Sequence, residues 1–227
     1  MSHANGAGPG APASERAGES AGAKPPGLIL LDIEGTTTPI AFVTETLFPY
    51  ARAHLRSFLD RQGRSAETAA FLSLMDRDSK APELKELQGR IWEEGYRDGT
   101  LAGDVFDDVP RAFARWRDAG TPIGLYSSGS VVAQQWLFRT VASGDLTPYI
   151  RWYFDTAVGG KRDSASYARI AETVKLPASG ITFVSDITAE LDAARMSGMR
   201  TALSVRPGNA PQPENDHRSI TSLDELC

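Results

Sequence analysis

The chain has few residues of the types on which disulfides, thiol chemistry and zinc sites depend. Its one cysteine, Cys227, is the last of 227 residues, so an internal disulfide is excluded and neither secretion nor a redox site is indicated. Its three histidines, His3, His54 and His217, are far apart and show no zinc-ligand spacing. If the protein uses a metal, oxygen ligands and therefore magnesium are expected, rather than zinc or copper.

The sequence also lacks long apolar runs. None approaches the roughly 18 residues needed to span a membrane. The first 25 residues are rich in Ala, Gly, Pro and Ser and contain no apolar core of the kind a signal peptide needs. Such a segment buries too little apolar surface to offset its ordering entropy, so residues 1–25 are predicted to be a disordered tail. We therefore expect a cytoplasmic protein that does not bind membranes.

A positive charge excess is missing as well. The net charge is −5 and the isoelectric point is about 5.3, so there is no basic field to grip a nucleic acid backbone. Hydrophobic residues make up 41% and charged residues 23% of the chain, which is ordinary for a globular protein. A chain of this length suits one α/β domain with a small second one.

The apolar runs that are present have the length of strands and alternate with helical patterns. Continuous runs of this kind are typical of strands covered on both faces of a parallel sheet. The alternation predicts an α/β fold with a doubly wound parallel sheet. The predicted strands are residues 28–33, 122–127, 152–158, 181–186 and 200–205, and the helical patterns between the later ones lie at 109–120, 130–144, 164–174 and 188–199.

One interval is too long for a single crossover. About 90 residues separate the first predicted strand from the second, and this stretch has few β-branched residues. Helical patterns cover residues 45–61, 67–78 and 82–99, with Gly and Pro between them. We therefore predict a helical cap, residues 44–108, inserted into a core of residues 26–43 and 109–227.

The first predicted strand ends in a polar cluster. Asp32 and Glu34 are two residues apart, so in an extended segment both carboxylates project to the same side. Gly35 allows a sharp turn, and three threonines follow it. Two converging acids could share a hard cation while one of them attacks an electrophile. An acidic turn without a catalytic role would have the same sequence.

The second predicted strand ends in a cluster of hydroxyl groups. Ser127 and Ser128 are followed by Gly129 and by a helix that begins near Ser130. Hydroxyls and helix N-terminal amides together could cradle a phosphate group. Ser130 could instead simply cap the helix, with the other two serines in the loop.

Two further segments carry charged residues that could belong to the same site. Asp186 ends the fourth predicted strand and could complete a magnesium site with Asp32, while Glu190, one helical turn later, could orient a ligand. Lys161 lies in a glycine-flanked loop and could hold a nucleophile and a phosphate together by charge. Asp186 could alternatively cap a helix, and Lys161 could be a solvated surface lysine.

The order of these clusters resembles the haloacid dehalogenase superfamily over nearly all of residues 28–227. Within the superfamily, the chain resembles the enolase-phosphatase family of methionine salvage. Most phosphatases of the superfamily carry aspartate at the position of Glu34, whereas the enolase-phosphatase pattern carries glutamate. The segments that carry the resemblance are DIEGTTTPI, KELQGRIWEEGY, YSSGSVVAQQWLF, YFDTAVGGK, SDITAELDAA and RPGNA.

The resemblance implies a reaction, a cofactor and a set of site residues. The substrate would be 2,3-diketo-5-methylthiopentyl-1-phosphate, a small phosphorylated diketone that is enolised and then dephosphorylated. One Mg²⁺ would be held at Asp32, Glu34 and Asp186, with Asp32 as the nucleophile. Ser127, Ser128 and Lys161 would bind substrate, and the resemblance also suggests a monomer.

Other interpretations stay open at this point. Lys85, in the KELQG segment of the predicted cap, could assist enolisation or bind substrate, although it could equally lie on a solvated helix face. Another capped phosphatase or a phosphomutase of the same superfamily is the main alternative. A binding or scaffold protein that kept the fold is disfavoured, because the acids, the hydroxyls and the lysine are all present.

Overall fold

The computed structural model describes Met1, residues 27–79 and residues 81–226. Apart from Met1, the predicted disordered tail of residues 1–25 lies outside the described residues, and so does Cys227. Within these ranges, no helix is both long and apolar enough to cross a membrane.

Six parallel strands form one sheet, in the order β3-β2-β1-β4-β5-β6. This arrangement, with helices on both faces, confirms the predicted α/β fold with a doubly wound parallel sheet. The strands are β1 (Leu28–Leu31), β2 (Ile123–Tyr126), β3 (Ile150–Phe154), β4 (Ile181–Ser185), β5 (Arg200–Ser204) and β6 (Arg218–Ile220).

The predictions for β1 and β3 were wrong at their ends, and one strand was not predicted. β1 ends at Leu31 rather than at residue 33, and β3 covers Ile150–Phe154 where residues 152–158 were predicted. After β3 the chain turns, because the Asp155 carboxylate accepts a hydrogen bond from the backbone N–H of Ala157 at 2.9 Å. β6 was missed because it has three residues, of which only Ile220 is buried.

Seven α-helices occur in the described part of the chain. They are α1 (Phe48–Arg61), α2 (Thr68–Asp76), α3 (Pro82–Arg97), α4 (Asp108–Asp118), α5 (Val131–Arg139), α6 (Ser164–Val174) and α7 (Thr188–Met196), and a π-helical turn, Phe42–Leu47, precedes α1. The pattern over residues 130–144 predicted a longer helix than α5. Helix α5 ends at Arg139. The hydroxyl of the next residue, Thr140, donates to the carbonyl of Trp136 at 2.9 Å.

β1 is apolar throughout because both of its faces are covered. Ile29 and Leu31 belong to one hydrophobic cluster, which includes residues of α4 and α5. Leu28 and Leu30 belong to another, which includes residues of α6 and α7. Since side chains alternate along a strand, a strand packed on both faces needs apolar residues at every position.

Helices α1 to α3 have a hydrophobic cluster of their own, and α3 also packs against α5. Where the two helices meet, a Cβ atom on Gly89 would lie 3.5 Å from the hydroxyl oxygen of Ser130. The separate cluster supports a cap over residues 44–108 and a core of residues 26–43 and 109–227, a division that we retain as a proposal. The buried residues of this hydrophobic cluster are Ala51, Leu55, Phe58, Leu59, Phe71, Leu84, Leu87 and Ile91.

The topology determines where a ligand can enter. From β1 the chain builds β2 and β3 on one side and then crosses to β4 and β5 on the other. Ligand crevices in open parallel sheets lie at the carboxyl ends of the strands, at such a reversal of order. The backbone N–H of Asp32 donates to the carbonyl of Val184 at 2.9 Å, so the residue that follows β1 lies beside the end of β4.

Candidate active site

Asp32 is held in one orientation by three groups. Its Oδ1 atom accepts a hydrogen bond from the backbone N–H of Ile33 at 2.7 Å and lies 2.6 Å from Nζ of Lys161. Its Oδ2 atom accepts from the hydroxyl of Ser185 at 3.2 Å. The side chain is 6% exposed. A buried carboxylate with this support is pre-oriented to attack an electrophile that enters the crevice.

Lys161 provides the positive charge of the site. Its ammonium group lies 2.6 Å from both Asp32 and Glu190, and its side chain is 7% exposed. Burial would lower the pKa of the Lys161 ammonium, but the two carboxylates outweigh burial and raise it. Lys161 is therefore a buried cation and not the solvated surface lysine that the sequence left open.

The loop that carries Lys161 is held by α6. The hydroxyl of Tyr167 donates to the carbonyl of Lys161 at 2.6 Å, and the hydroxyl of Ser166 donates to the carbonyl of Gly160 at 2.9 Å. Gly159 has a φ of +129°, and a Cβ atom there would collide with the Ser166 side chain. Gly159, two residues before the lysine, thus lets the loop pass close to α6.

Glu190 and Ser185 complete the cluster. The sequence indicated Glu190 only as a residue that could orient a ligand, whereas the structure places it against the lysine and within 3.0 Å of the Ser185 hydroxyl. Burial and the nearby charge of Asp32 raise the pKa of Glu190, although Lys161 and Ser185 act in the opposite direction. Sequence reasoning missed Ser185, whose signal was a hydroxyl residue directly before Asp186 at the end of an apolar run.

Asp186 follows β4 and is 5% exposed. Burial, followed by the charge of Asp32, raises the pKa of Asp186 to about 7. The helix-capping alternative is excluded, because α7 has Ile187 at its N-cap position and no side-chain capping bond. Two buried carboxylates that repel each other in this way are suited to share a cation.

The turn after Asp32 brings Gly35 against Asp186. Gly35 has a φ of +69°, and a Cβ atom there would lie 2.5 Å from Oδ2 of Asp186. Glu34, directly before it, is exposed. The expectation that Asp32 and Glu34 project to the same side assumed an extended segment, but β1 ends at Leu31. The role of Glu34 as a metal ligand therefore stays a prediction.

The donor set fits a hard divalent cation. Among the described residues, no three Asp, Glu, His or Cys side chains converge as a complete metal-binding group. Mg²⁺ does not require one, since it keeps several waters and is usually bound by one or two carboxylates together with substrate phosphate. Asp32 and Asp186 supply two buried carboxylates whose mutual repulsion such a cation would relieve.

The serine loop lies beside the acids because β2 is the neighbour of β1, with Leu125 paired to Leu31. Ser130 caps α5, accepting a hydrogen bond from the backbone N–H of Ala133 at 3.3 Å, which confirms the capping interpretation for that residue. Ser127 is half-buried, and its hydroxyl oxygen accepts from Gly129 N–H at 3.2 Å, while Ser128 is exposed.

Lys85 lies on the side of α3 that turns towards this loop. It is half-buried and stands four residues before Gly89, so the two share one face of the helix. Gly89 is the residue that approaches Ser130. Lys85 is thus half-buried and one helical turn from the contact with Ser130, and its role in the site stays a prediction.

The parallel sheet with the buried Asp32–Lys161 pair at its switch point fits the resemblance to the haloacid dehalogenase superfamily. The model of the haloacid dehalogenase-like hydrolase family matches residues 26–198. The chain is 44% identical to "Enolase-phosphatase E1" of Synechococcus elongatus, covering 87% of this chain and 96% of that protein. Identity to the protein of the same name from Sorangium cellulosum is 41%, over 90% and 99%.

A solved structure agrees with these relatives. The UTR4 protein of Saccharomyces cerevisiae superposes with a TM-score of 0.76 at 36% identity, covering 88% of this chain and 99% of that one. The chain belongs to the haloacid dehalogenase-like hydrolase family and, within it, to the enolase-phosphatases.

Proposed function

We propose that this enzyme converts 2,3-diketo-5-methylthiopentyl-1-phosphate into the acireductone 1,2-dihydroxy-3-keto-5-methylthiopentene and inorganic phosphate, in methionine salvage. The observation that carries the phosphatase half is the buried Asp32 carboxylate with Lys161 Nζ at 2.6 Å. The enolase half is supported by relatives at 44% and 41% identity that are named for both activities.

Asp32 acts as the nucleophile in phosphoryl transfer. One of its carboxylate oxygens forms a bond to phosphorus while the bond from phosphorus to the substrate oxygen breaks, and an aspartyl-phosphate results. Water then attacks phosphorus, which restores the carboxylate and releases inorganic phosphate. The hydrogen bonds from Ile33 and Ser185 support this role, because they hold the carboxylate still before the reaction.

Positive charge and hydrogen-bond donors lower the barrier to the approach of an anion to a phosphate. Lys161 is in contact with the nucleophile, and Ser127 and Ser128 stand at the end of the neighbouring strand, where they would donate to phosphate oxygens. Bound by Asp32, Glu34 and Asp186, one Mg²⁺ would neutralise further phosphate charge.

The acidity of the leaving group explains why the residue at position 34 can be an exposed glutamate and need not be a buried general acid. An enediol is far more acidic than an alcohol, so its departure requires less protonation than that of a sugar hydroxyl. A strong general acid buried beside the leaving oxygen is then not required. Glu34 accordingly contributes more through the metal than through proton transfer.

Enolisation moves a proton from the carbon beside a carbonyl and leaves the carbonyl oxygen as an enol, with no net oxidation. A cation near that oxygen stabilises the developing negative charge. Lys85 is our candidate for this cation and for a substrate contact, because it lies on the face of α3 that turns towards the serine loop. Closure of the helical cap would exclude water during the step.

The main alternative is a different magnesium-dependent phosphatase or phosphomutase of the same superfamily. The glutamate at position 34 and the KELQG and RPGNA segments favour the enolase-phosphatase. A monomeric state and a cytoplasmic location stay predictions.

The test follows enol absorbance and free phosphate together, with the diketo-phosphate as substrate, with and without Mg²⁺. We expect both signals to rise only with Mg²⁺, and Asp32→Asn to stop phosphate release. Lys85→Met should slow the rise in enol absorbance. Release of phosphate from unrelated esters, without turnover of the diketo-phosphate, would refute the methionine-salvage assignment and leave Asp32 as the nucleophile.

A further inference from the structure

The RPGNA segment follows β5 and has no part in the mechanism given above. It nevertheless contacts the turn at Gly35, which follows Asp32. The side-chain amide of Asn209 donates hydrogen bonds to the carbonyl of Gly35 at 2.9 Å and to the carbonyl of Ser204 at 3.1 Å. The hydroxyl of Ser204 also donates to the Gly35 carbonyl, at 3.1 Å. Two side chains from one strand end thus hold the turn that follows the nucleophile.

The other end of the Asn209 side chain lies near Asp186. Its Oδ1 atom is buried and has no hydrogen-bond partner among the described residues. This atom lies 3.0 Å from the position that a Cβ on Gly35 would occupy, and Oδ2 of Asp186 lies 2.5 Å from the same point. A buried acceptor without a donor is destabilising, so its position near a carboxylate indicates a donor that the protein itself does not supply.

The loop that carries Asn209 is held in place by the contacts of Arg206. Nη2 of Arg206 lies 2.7 Å from the buried carboxylate of Asp108, and Nη1 donates to the carbonyl of Thr221 at 2.7 Å. The guanidinium also lies over the ring of Phe106, 4.6 Å from its centre. The backbone N–H of Asn209 donates to the Arg206 carbonyl at 3.1 Å, which ties the amide side chain to this anchor.

We propose that Asn209 is a positioning residue for the divalent cation, with its Oδ1 atom accepting a hydrogen bond from a water of the cation's hydration shell beside Asp186. The amide nitrogen holds the Gly35 turn while the oxygen receives the water. A hydrated Mg²⁺ fits this role because it retains several of its waters when it binds to proteins. The inference rests on the proposed magnesium-dependent function and adds a residue to it.

The test is a calorimetric titration of the full chain with Mg²⁺ alone. Asn209→Ala should weaken Mg²⁺ binding by about tenfold or more, as the loss of an outer-shell partner does. Ser204→Ala is the matched control, because it removes a donor to the same Gly35 carbonyl and leaves Oδ1 in place. It should keep the affinity within about threefold of the wild type, whereas a merely structural role would make the two variants equal.

A second variant covers the case in which Asn209→Ala does not fold. Asn209→Gln keeps both an amide donor for the carbonyls of Gly35 and Ser204 and an acceptor oxygen, so it should bind Mg²⁺ within about tenfold of the wild type. Weaker binding than this by Asn209→Gln, or wild-type binding by Asn209→Ala, would overturn the role of Asn209 alone. Absence of Mg²⁺ binding by the wild type would overturn it together with the metal part of the proposed function.

Discussion

Lys161 and Asp32 form a buried ion pair, with Nζ of the lysine 2.6 Å from Oδ1 of the aspartate. The same ammonium lies 2.6 Å from Glu190, so one cation is shared by two carboxylates. The pair joins the loop after β3 to the end of β1. Both stability and catalysis should therefore depend on it.

Lys161→Met keeps most of the side-chain volume and removes the charge. Phosphate release should fall at least a hundredfold, roughly the loss seen when a group that stabilises transition-state charge is removed. The free energy of unfolding should fall by about 3 kcal/mol, because the carboxylates lose their partner in a buried site. Phosphate assays and urea unfolding at pH 7 would measure both. Lys175→Met, at an exposed lysine, should change neither, and a Lys161→Met enzyme with full activity would contradict this role.

Asp32→Asn replaces the carboxylate of the proposed nucleophile with an amide of the same shape. The amide oxygen can still accept the hydrogen bond from Ile33, so we expect a folded protein whose phosphate release is lower by at least about a thousandfold. Enol absorbance and phosphate should be followed separately, since enolisation does not use the aspartate as a nucleophile. Asp118→Asn, at an exposed aspartate, is the control. Normal phosphate release by Asp32→Asn would rule out the aspartyl-phosphate.

Gly35→Ala tests the close approach of Gly35, in the turn after Asp32, to Asp186. Gly63 is a matched control, because its φ is also +69° but a Cβ there would have nothing within 4 Å. Gly63→Ala should therefore show only the backbone cost of a left-handed alanine, on the order of 1 kcal/mol. Gly35→Ala should lose more stability and most of its phosphate release, since its Cβ would collide with the Asp186 carboxylate. Equal effects of the two variants on unfolding and activity would disprove the contact.

Asp108 gives a pH-dependent prediction. Burial would raise the pKa of Asp108, but the hydrogen bonds from Arg206 and from the backbone N–H of Leu223 outweigh burial and lower it from 3.8. A lowered pKa in the folded state stabilises the protein above pH 3.8, and this stabilisation is lost as the pH falls through the folded-state pKa.

Asp108→Asn should accordingly lower the free energy of unfolding by about 3 kcal/mol at pH 7, because Arg206 loses its buried partner. The difference from the wild type should narrow as the pH falls below 3.8, because the unfolded chain then takes up a proton that the folded carboxylate, with its lowered pKa, does not yet bind. Urea unfolding curves of both proteins at pH 7, 5 and 3 would show the trend. A difference that stays constant over this range would mean that the charge of Asp108 does not matter.

Local patterns predicted most of the fold. The helical pattern over residues 164–174 matches α6 (Ser164–Val174), and the apolar run at residues 28–33 contains β1. β6 was not predicted because three residues with one buried side chain leave no periodic signal. The ends of β1 and β3 were misplaced since a strand ends where pairing stops, and pairing depends on a partner elsewhere in the chain.

The candidate site was likewise predicted in part from the sequence and decided in part by the tertiary structure. The sequence by itself determined the nucleophile candidate Asp32, the order of the polar clusters and the family resemblance, because each depends on residues that are neighbours in the chain. Only the tertiary structure decided that Lys161 is buried, that Asn209 reaches the Gly35 turn, and that Ser185 contacts Asp32 from 153 positions away. Burial and hydrogen bonding depend on which strand ends the sheet topology brings together, and no local pattern contains that information.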